Sequence, residues 1–228
     1  MTEKAFYREL NLSEESLAKI KAAVHKAESG TSGEIAVAVA AESSDYAFWE
    51  LFYAIIAAFV IFSLALPFAG SIRAFYENLN WSAPEWYLPG AYGLAVLLLI
   101  FFFYIIFNIP ALDRLIIPQE YKKRMVTERA LRCFTECGVY ATEKHCGVLI
   151  FVSFLERQVR IIADTGISEK IGNDLWAIIA DGIVEEISKG NVEFAFIDAV
   201  EKCGTVLSEK YPSEGEKKNE LSDGLIIF

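Results

Sequence analysis

The chain has 228 residues, of which 54% are hydrophobic, and a formal net charge of -10. The acidic balance excludes a nucleic-acid binder, because nothing supplies the basic stripe that displaces phosphate counterions. Mean hydropathy is +0.33, and the apolar excess is concentrated in two runs; the remainder has ordinary polarity and is long enough for one soluble domain.

The opening stretch MTEKAFYRELNL is charged and lacks an apolar core, so no cleavable signal peptide is expected. Ser13 reads as the N-cap of a helix carrying Leu17, Ile20, Val24 and Ala27 on one face up to Gly30. After a turn at Thr31, Ser32 and Gly33, the segment 34–40 (EIAVAVA) mixes β-branched residues with alanine and predicts a strand covered on both faces. The acidic linker 42–45 leads into the first apolar run.

That run, 51–68 (LFYAIIAAFVIFSLALPF), and the second, 88–109 (LPGAYGLAVLLLIFFFYIIFNI), contain no charged residue. Each is about the length a helix needs to cross roughly 30 Å of hydrocarbon. A helix satisfies its own backbone in lipid, so the two runs predict a transmembrane hairpin, with helices at about 48–69 and 88–109. Tyr53, Trp86, Tyr87 and Tyr104 sit near the ends, as interfacial aromatics do. Two core helices of a soluble protein are the competing reading. The short segment 70–87 is read as an external loop at the interface, anchored by Trp81 and Trp86, or as a partner-binding loop.

Arg114, Lys122, Lys123 and Arg124 follow the second run, whereas the connecting segment holds only Arg73. The positive-inside rule therefore places both termini in the cytoplasm. Cys133, Cys137, Cys146 and Cys203 then lie on the reducing side, where disulfides are not expected.

A helix over about 119–139 has Met125, Ala130, Leu131, Phe134 and Cys137 as its apolar side. Its first turns offer Lys122, Lys123 and Arg124 to anionic lipid head groups. Residues 147–153 (GVLIFVS) form a fully buried strand, and 159–164 return as the second arm of an antiparallel hairpin. Two helices follow: about 174–189, with Leu175, Ile178, Ile179 and Ile183 inward, and about 192–210, with Phe196, Val200, Cys203 and Leu207 inward. Pro212 stops the second, and the last four residues of the tail dock or add an edge strand. The order predicts an α/β fold, a small mixed sheet covered on both faces. Residues 1–45 and 111–212 form its two parts, the hairpin at 46–110 is inserted between them, and 213–228 are a tail. A parallel pairing of the strands at 34 and 147 would put the insertion at the carboxyl end of the first strand, where open α/β sheets bind ligands.

The segments AESGTSGEIAVAV (27–39), GVLIFVSFLERQVRIIADTGI (147–167), FIDAVEKCGTVLSEKYP (196–212) and NELSDGLI (219–226) resemble the TPM-domain family. The closer likeness is to bacterial membrane proteins in which that domain is interrupted by a transmembrane hairpin. The resemblance implies an αβα sandwich and a bacterial inner-membrane location. Some soluble relatives are credited with acid phosphatase activity or metal binding, and others act in assembly or repair of membrane complexes.

No GxxxxGK[ST], GxGxxG, GxSxG or HExxH occurs in the sequence. His25 and His145 are the two histidines, and His25, beside Lys26, reads as a solvated surface residue. On paper Cys133, Cys137, His145 and Cys146 offer zinc two thiolates on one helix face plus an imidazole and a third thiolate. Their spacing matches no common knuckle, however, and adjacent residues on an entering strand point to opposite faces. Buried small hydrophobes are the ordinary reading of these cysteines. The resemblance directs attention to acidic residues near strand ends: Asp45, Glu156 and Asp164 are candidates for Ca²⁺ or Mg²⁺, and Glu34 is a further carboxylate. Their ordinary reading is capping and exposure. The expected function is a non-catalytic interaction, assembly or quality-control module for membrane proteins, with the bilayer and a membrane protein as partners. The alternative is a divalent-metal phosphatase acting through Asp45, Glu156 or Asp164.

Overall fold

A computed structural model describes residues 10, 12–79, 86–168, 171–213 and 219–228. The charged N-terminal stretch, the loop around Trp81 and part of the tail lie outside the described residues. The chain divides into two compact units, Met1–Ser44 with Glu120–Phe228, and Asp45–Gln119.

The first unit is built on a four-stranded sheet in the order β3-β2-β1-β4. β1 (Glu34–Ala40) and β2 (Gly147–Ser153) run parallel, from Glu34 beside Gly147 to Ala40 beside Ser153. β3 (Gln158–Ala163) returns antiparallel on β2, and β4 (Leu225–Ile227) pairs parallel with β1 at Val37–Val39, so the apolar end of the tail is an edge strand. Every residue of β1 and β2 is buried. Helices therefore cover both faces, as the uninterrupted apolar pattern predicts.

The two faces differ because side chains alternate along a strand. Ile35, Val37 and Val39 of β1, with Val148, Ile150 and Val152 of β2, meet α1 (Glu14–Ser29), α8 (Asn173–Ser188) and α9 (Val192–Lys210) through Ile20, Val24, Ile179, Ile183, Phe196, Val200 and Leu207. On the other face Ala36, Ala38 and Ala40 make room for Leu149 and Phe151 against Val126, Ala130 and Cys133 of α6 (Gln119–Glu136). α1 starts as its sequence predicts: Ser13 Oγ accepts the Ser16 N–H at 3.1 Å. The buried Glu28 near its end accepts the Ile35 N–H at 2.7 Å and so caps β1 where β4 does not reach it.

Two helix faces turn differently from the expected ones. In α8 Leu175 and Ile178 are exposed, and Trp176, Ile179 and Ile183 go inward. Apolar neighbours at 175/176 and 178/179 give two stripes of equal period, and the inward one carries the tryptophan, with the larger area to bury. In α6 the buried row is Lys122, Val126, Ala130 and Cys133, while Leu131 is exposed. Lys122 is thus packed inward and is not offered to a lipid surface. Lys123 and Arg124 are exposed and pair with Glu120 and Glu128 on the same helix.

The second unit is a helical hairpin. α2 (Ala47–Ala65) continues through a 3-10 turn at Leu66–Phe68 into α3 (Ala69–Leu79), giving a 29-residue span, Ala47–Phe75, that contains an 18-residue window of mean hydropathy 2.4. The helix therefore extends ten residues beyond the boundary expected near 69. Pro67 sits in the first turn of its short helix, where its fixed φ and missing N–H are tolerated, and an Arg73–Glu77 pair at 2.8 Å supports the extension. α4 (Tyr87–Phe107) returns, its Pro89–Phe107 portion containing an 18-residue window of mean hydropathy 2.5, and α5 (Pro110–Ile116) follows. Ala54 and Ala58, four residues apart, are buried, so small side chains admit the neighbouring helix. Phe62 and Tyr92 meet edge to face across the pair. Phe59, Leu64, Leu97 and Phe101, each about two-thirds exposed, point outward.

Candidate functional site

The parallel pair β1–β2 has two ends, and the candidate carboxylates of the first unit divide between them. At the carboxyl end, the turn after β2 is fastened to the chain leaving β1: Phe154 N–H donates to Ala40 O and Leu155 N–H to Ala41 O. Glu156 closes this fastening. Its Oε1 accepts the Ser43 N–H at 2.9 Å, its Oε2 accepts the Ser153 hydroxyl, and the hydroxyls of Ser43 and Ser153 lie 2.7 Å apart. Ser153 is fully buried and Glu156 nearly so. Arg157, next in the turn, adopts a positive φ of 52°. Chemically the group is a carboxylate whose two oxygens already accept hydrogen bonds, with one partly exposed hydroxyl, Ser43, at its margin.

Replacing Glu156 by alanine removes the acceptor of both the Ser43 N–H and the Ser153 hydroxyl. It is expected to destabilise the first unit by about 1–3 kcal/mol, read by denaturant unfolding in EDTA. A carboxylate used only to hold metal would show no such loss without metal.

At the opposite end, β3 returns Asp164 to the start of β2, where its N–H donates to Gly147 O at 2.9 Å. Its Oδ1 accepts from the Thr165 N–H at 2.6 Å, and its Oδ2 lies 3.3 Å from His145 Nδ1. His145 sits at φ 51° in the tight turn before β2, its ring largely exposed. Gly166, in the short helix α7 (Thr165–Ser168), leaves no room for a side chain here, since a Cβ would stand 2.5 Å from His145 O, and the Tyr211 hydroxyl donates to Gly166 O. β2 rises ~3.3 Å per residue along Gly147–Ser153, so Glu156 and Asp164 are separated by about 20 Å. The antiparallel return of β3 is the cause. Asp45, in the second unit, accepts the Ala47 N–H at 2.9 Å and so supports the start of α2. Glu34, at the amino end of β1, is 1% exposed.

The sulfur candidates also part. Cys133 lies in the core on the α6 face, whereas Cys146 lies in the core on the opposite face, its Sγ donating to Lys144 O at 3.1 Å. Burial pushes the Cys133 thiol up to about 12 and raises that of Cys137. All four cysteines are free thiols. Among the described residues no three His, Cys, Asp or Glu side chains gather as a metal-holding group. His25 is exposed, with Nδ1 3.4 Å from Asp223 Oδ2. Ser43 and Ser153 were not distinguished by the sequence: a serine ending a buried strand and another in an acidic linker carry no spacing that marks them as neighbours.

Residues 112–206 match the family model of the TPM domain. No curated protein matches the chain. Among solved structures, the BA42 protein of the psychrophilic bacterium Bizionia argentinensis, determined by NMR, is similar over 95% of both chains, with a TM-score of 0.56 and 19% identity. That likeness is one of fold. The matched segment starts after the apolar hairpin, and the sheet shows what it omits: β1, on the far side of the hairpin, pairs along its whole length with β2 inside the segment. The chain thus matches the TPM-domain family model over residues 112–206, and two helices long and apolar enough to cross a membrane are set between the first and second strands of its sheet.

Proposed function

We propose that the protein is an integral-membrane TPM module of the bacterial inner membrane, whose α/β domain, at the cytoplasmic face, binds other membrane proteins in their assembly or quality control. One observation supports this most: the apolar window of the first helical span is 11% buried within the chain and that of the second 0%. Burying one large apolar side chain is worth ~1.5–3 kcal/mol, so a surface bearing Phe59, Leu64, Leu97 and Phe101 calls for lipid around it.

The interaction reading is favoured over metal-dependent hydrolysis by the placement of the carboxylates. A metal-activated water needs ligands that converge on one point, and Glu156 and Asp164 stand at opposite ends of the sheet, each engaged by backbone or hydroxyl donors. The test is crosslinking in intact membranes followed by purification. A discrete stoichiometric partner is expected; recovery of bulk membrane proteins in proportion to their abundance would sink the proposal.

A further inference from the structure

The apolar hairpin has a polar base. Glu50 lies in the first turn of α2, Asn108 caps the end of α4, and Asp113 lies in α5. The Asn108 amide donates to Glu50 Oε2 at 2.8 Å. Glu50 and Asp113 are each 6% exposed, and Glu50 is close enough for its charge to act on Asp113. Asp113 Oδ1 is buried and has no hydrogen-bond donor among the described residues. A buried carboxylate oxygen without a donor is costly, and a second buried carboxylate beside it adds to the cost. Arg73 does not relieve it, being paired with Glu77 on α3.

We propose that Glu50 and Asp113 form a binding site for a hard divalent cation, Ca²⁺ or Mg²⁺. Two carboxylates balance the charge of one such ion. Oxygen ligands are what both ions take, and Asp113 Oδ1 supplies one that nothing else among the described residues engages. Asn108 acts as a positioning residue that fixes the Glu50 carboxylate. A cation here would tie the start of α2 to α5, across the two ends of the hairpin. The site lies within the hairpin unit and does not depend on the partner-binding reading.

The test is thermal unfolding of the full-length protein in detergent, in EDTA and then with Ca²⁺ or Mg²⁺ titrated in. At a cation concentration about 100 times the dissociation constant, an upward shift of about 5–10 °C is expected. Asp113→Asn and Glu50→Gln are expected to abolish the shift, while Asp164→Asn and Glu156→Gln retain it. If one hairpin variant fails to fold, the other gives the same reading, and terbium emission excited through the neighbouring Trp49 reports occupancy in the unaltered protein. No shift and no terbium signal with the unaltered protein, or a shift that survives both hairpin substitutions, would overturn the proposal.

Discussion

Alanine in place of Phe196 is expected to lower the unfolding free energy of the α/β domain by about 3–5 kcal/mol, measured by urea unfolding in a fixed detergent. Phe196 is fully buried on α9, in the core formed by the valines and isoleucines of β1 and β2 with α1 and α8. The cost combines the lost transfer of a phenyl ring with the cavity left among neighbours that collapse only partly. Against a typical domain stability of about 5–15 kcal/mol, it is a large share. Phe194, two residues away, is 55% exposed on the same helix, and its replacement by alanine is expected to change stability by no more than about 0.5 kcal/mol. Equal losses at the two positions would mean that α9 is turned differently from its packing in the structure.

That pair also shows what the sequence determined well. In α9 the apolar residues Phe196, Val200, Cys203 and Leu207 form one stripe, and all are buried. In α8 the apolar residues come as neighbours, two stripes satisfy the same period, and only the sheet beneath selects the one through Trp176 and Ile179. The same limit applies to α6, where Lys122 lies on the buried row although its type predicts exposure. Strands were plainer. Between Glu34 at the start of β1 and Ser153 at the end of β2, both strands are apolar on both faces, a pattern that a strand facing water on one side does not have.

The candidate site was less legible because it depends on strand direction. Asp45, Glu156 and Asp164 all follow strands or turns in the sequence, and that feature does not distinguish one end of a sheet from the other. The antiparallel pairing of β3 with β2 separates Glu156 from Asp164. At the hairpin base the problem is sequence distance. Glu50 and Asp113 each flank an apolar run, on opposite sides of the pair, and Asn108 lies near the end of the second. Only the return of the hairpin brings the Asn108 amide to Glu50. The first span, too, is longer than its hydropathy alone marked, because Gly70 and Arg73 interrupt the apolar run without ending the helix.

Replacing residues 45–119 by a flexible glycine–serine linker of about 15 residues is expected to move the protein from the membrane pellet to the aqueous fraction, with a cooperative unfolding transition retained. Both apolar clusters of the first unit draw their buried residues from outside this segment, so no core side chain is lost. Parallel strands need a crossover of a dozen or more residues, and α6 alone, Gln119–Glu136, provides it. The linker then has only to bridge the cut, with an r.m.s. reach of ~20 Å. The excised segment contains both helices long and apolar enough to cross a membrane and, with them, the outward phenylalanines and leucines that water does not tolerate. Retention in the pellet would mean that the α/β domain holds to the membrane by its own surface, and loss of cooperative unfolding would mean that the sheet needs the hairpin to form. Applied to the crosslinking experiment, the same variant separates two kinds of recognition. A partner still captured by the excised protein binds the α/β domain, whereas a partner lost with residues 45–119 recognises the hairpin.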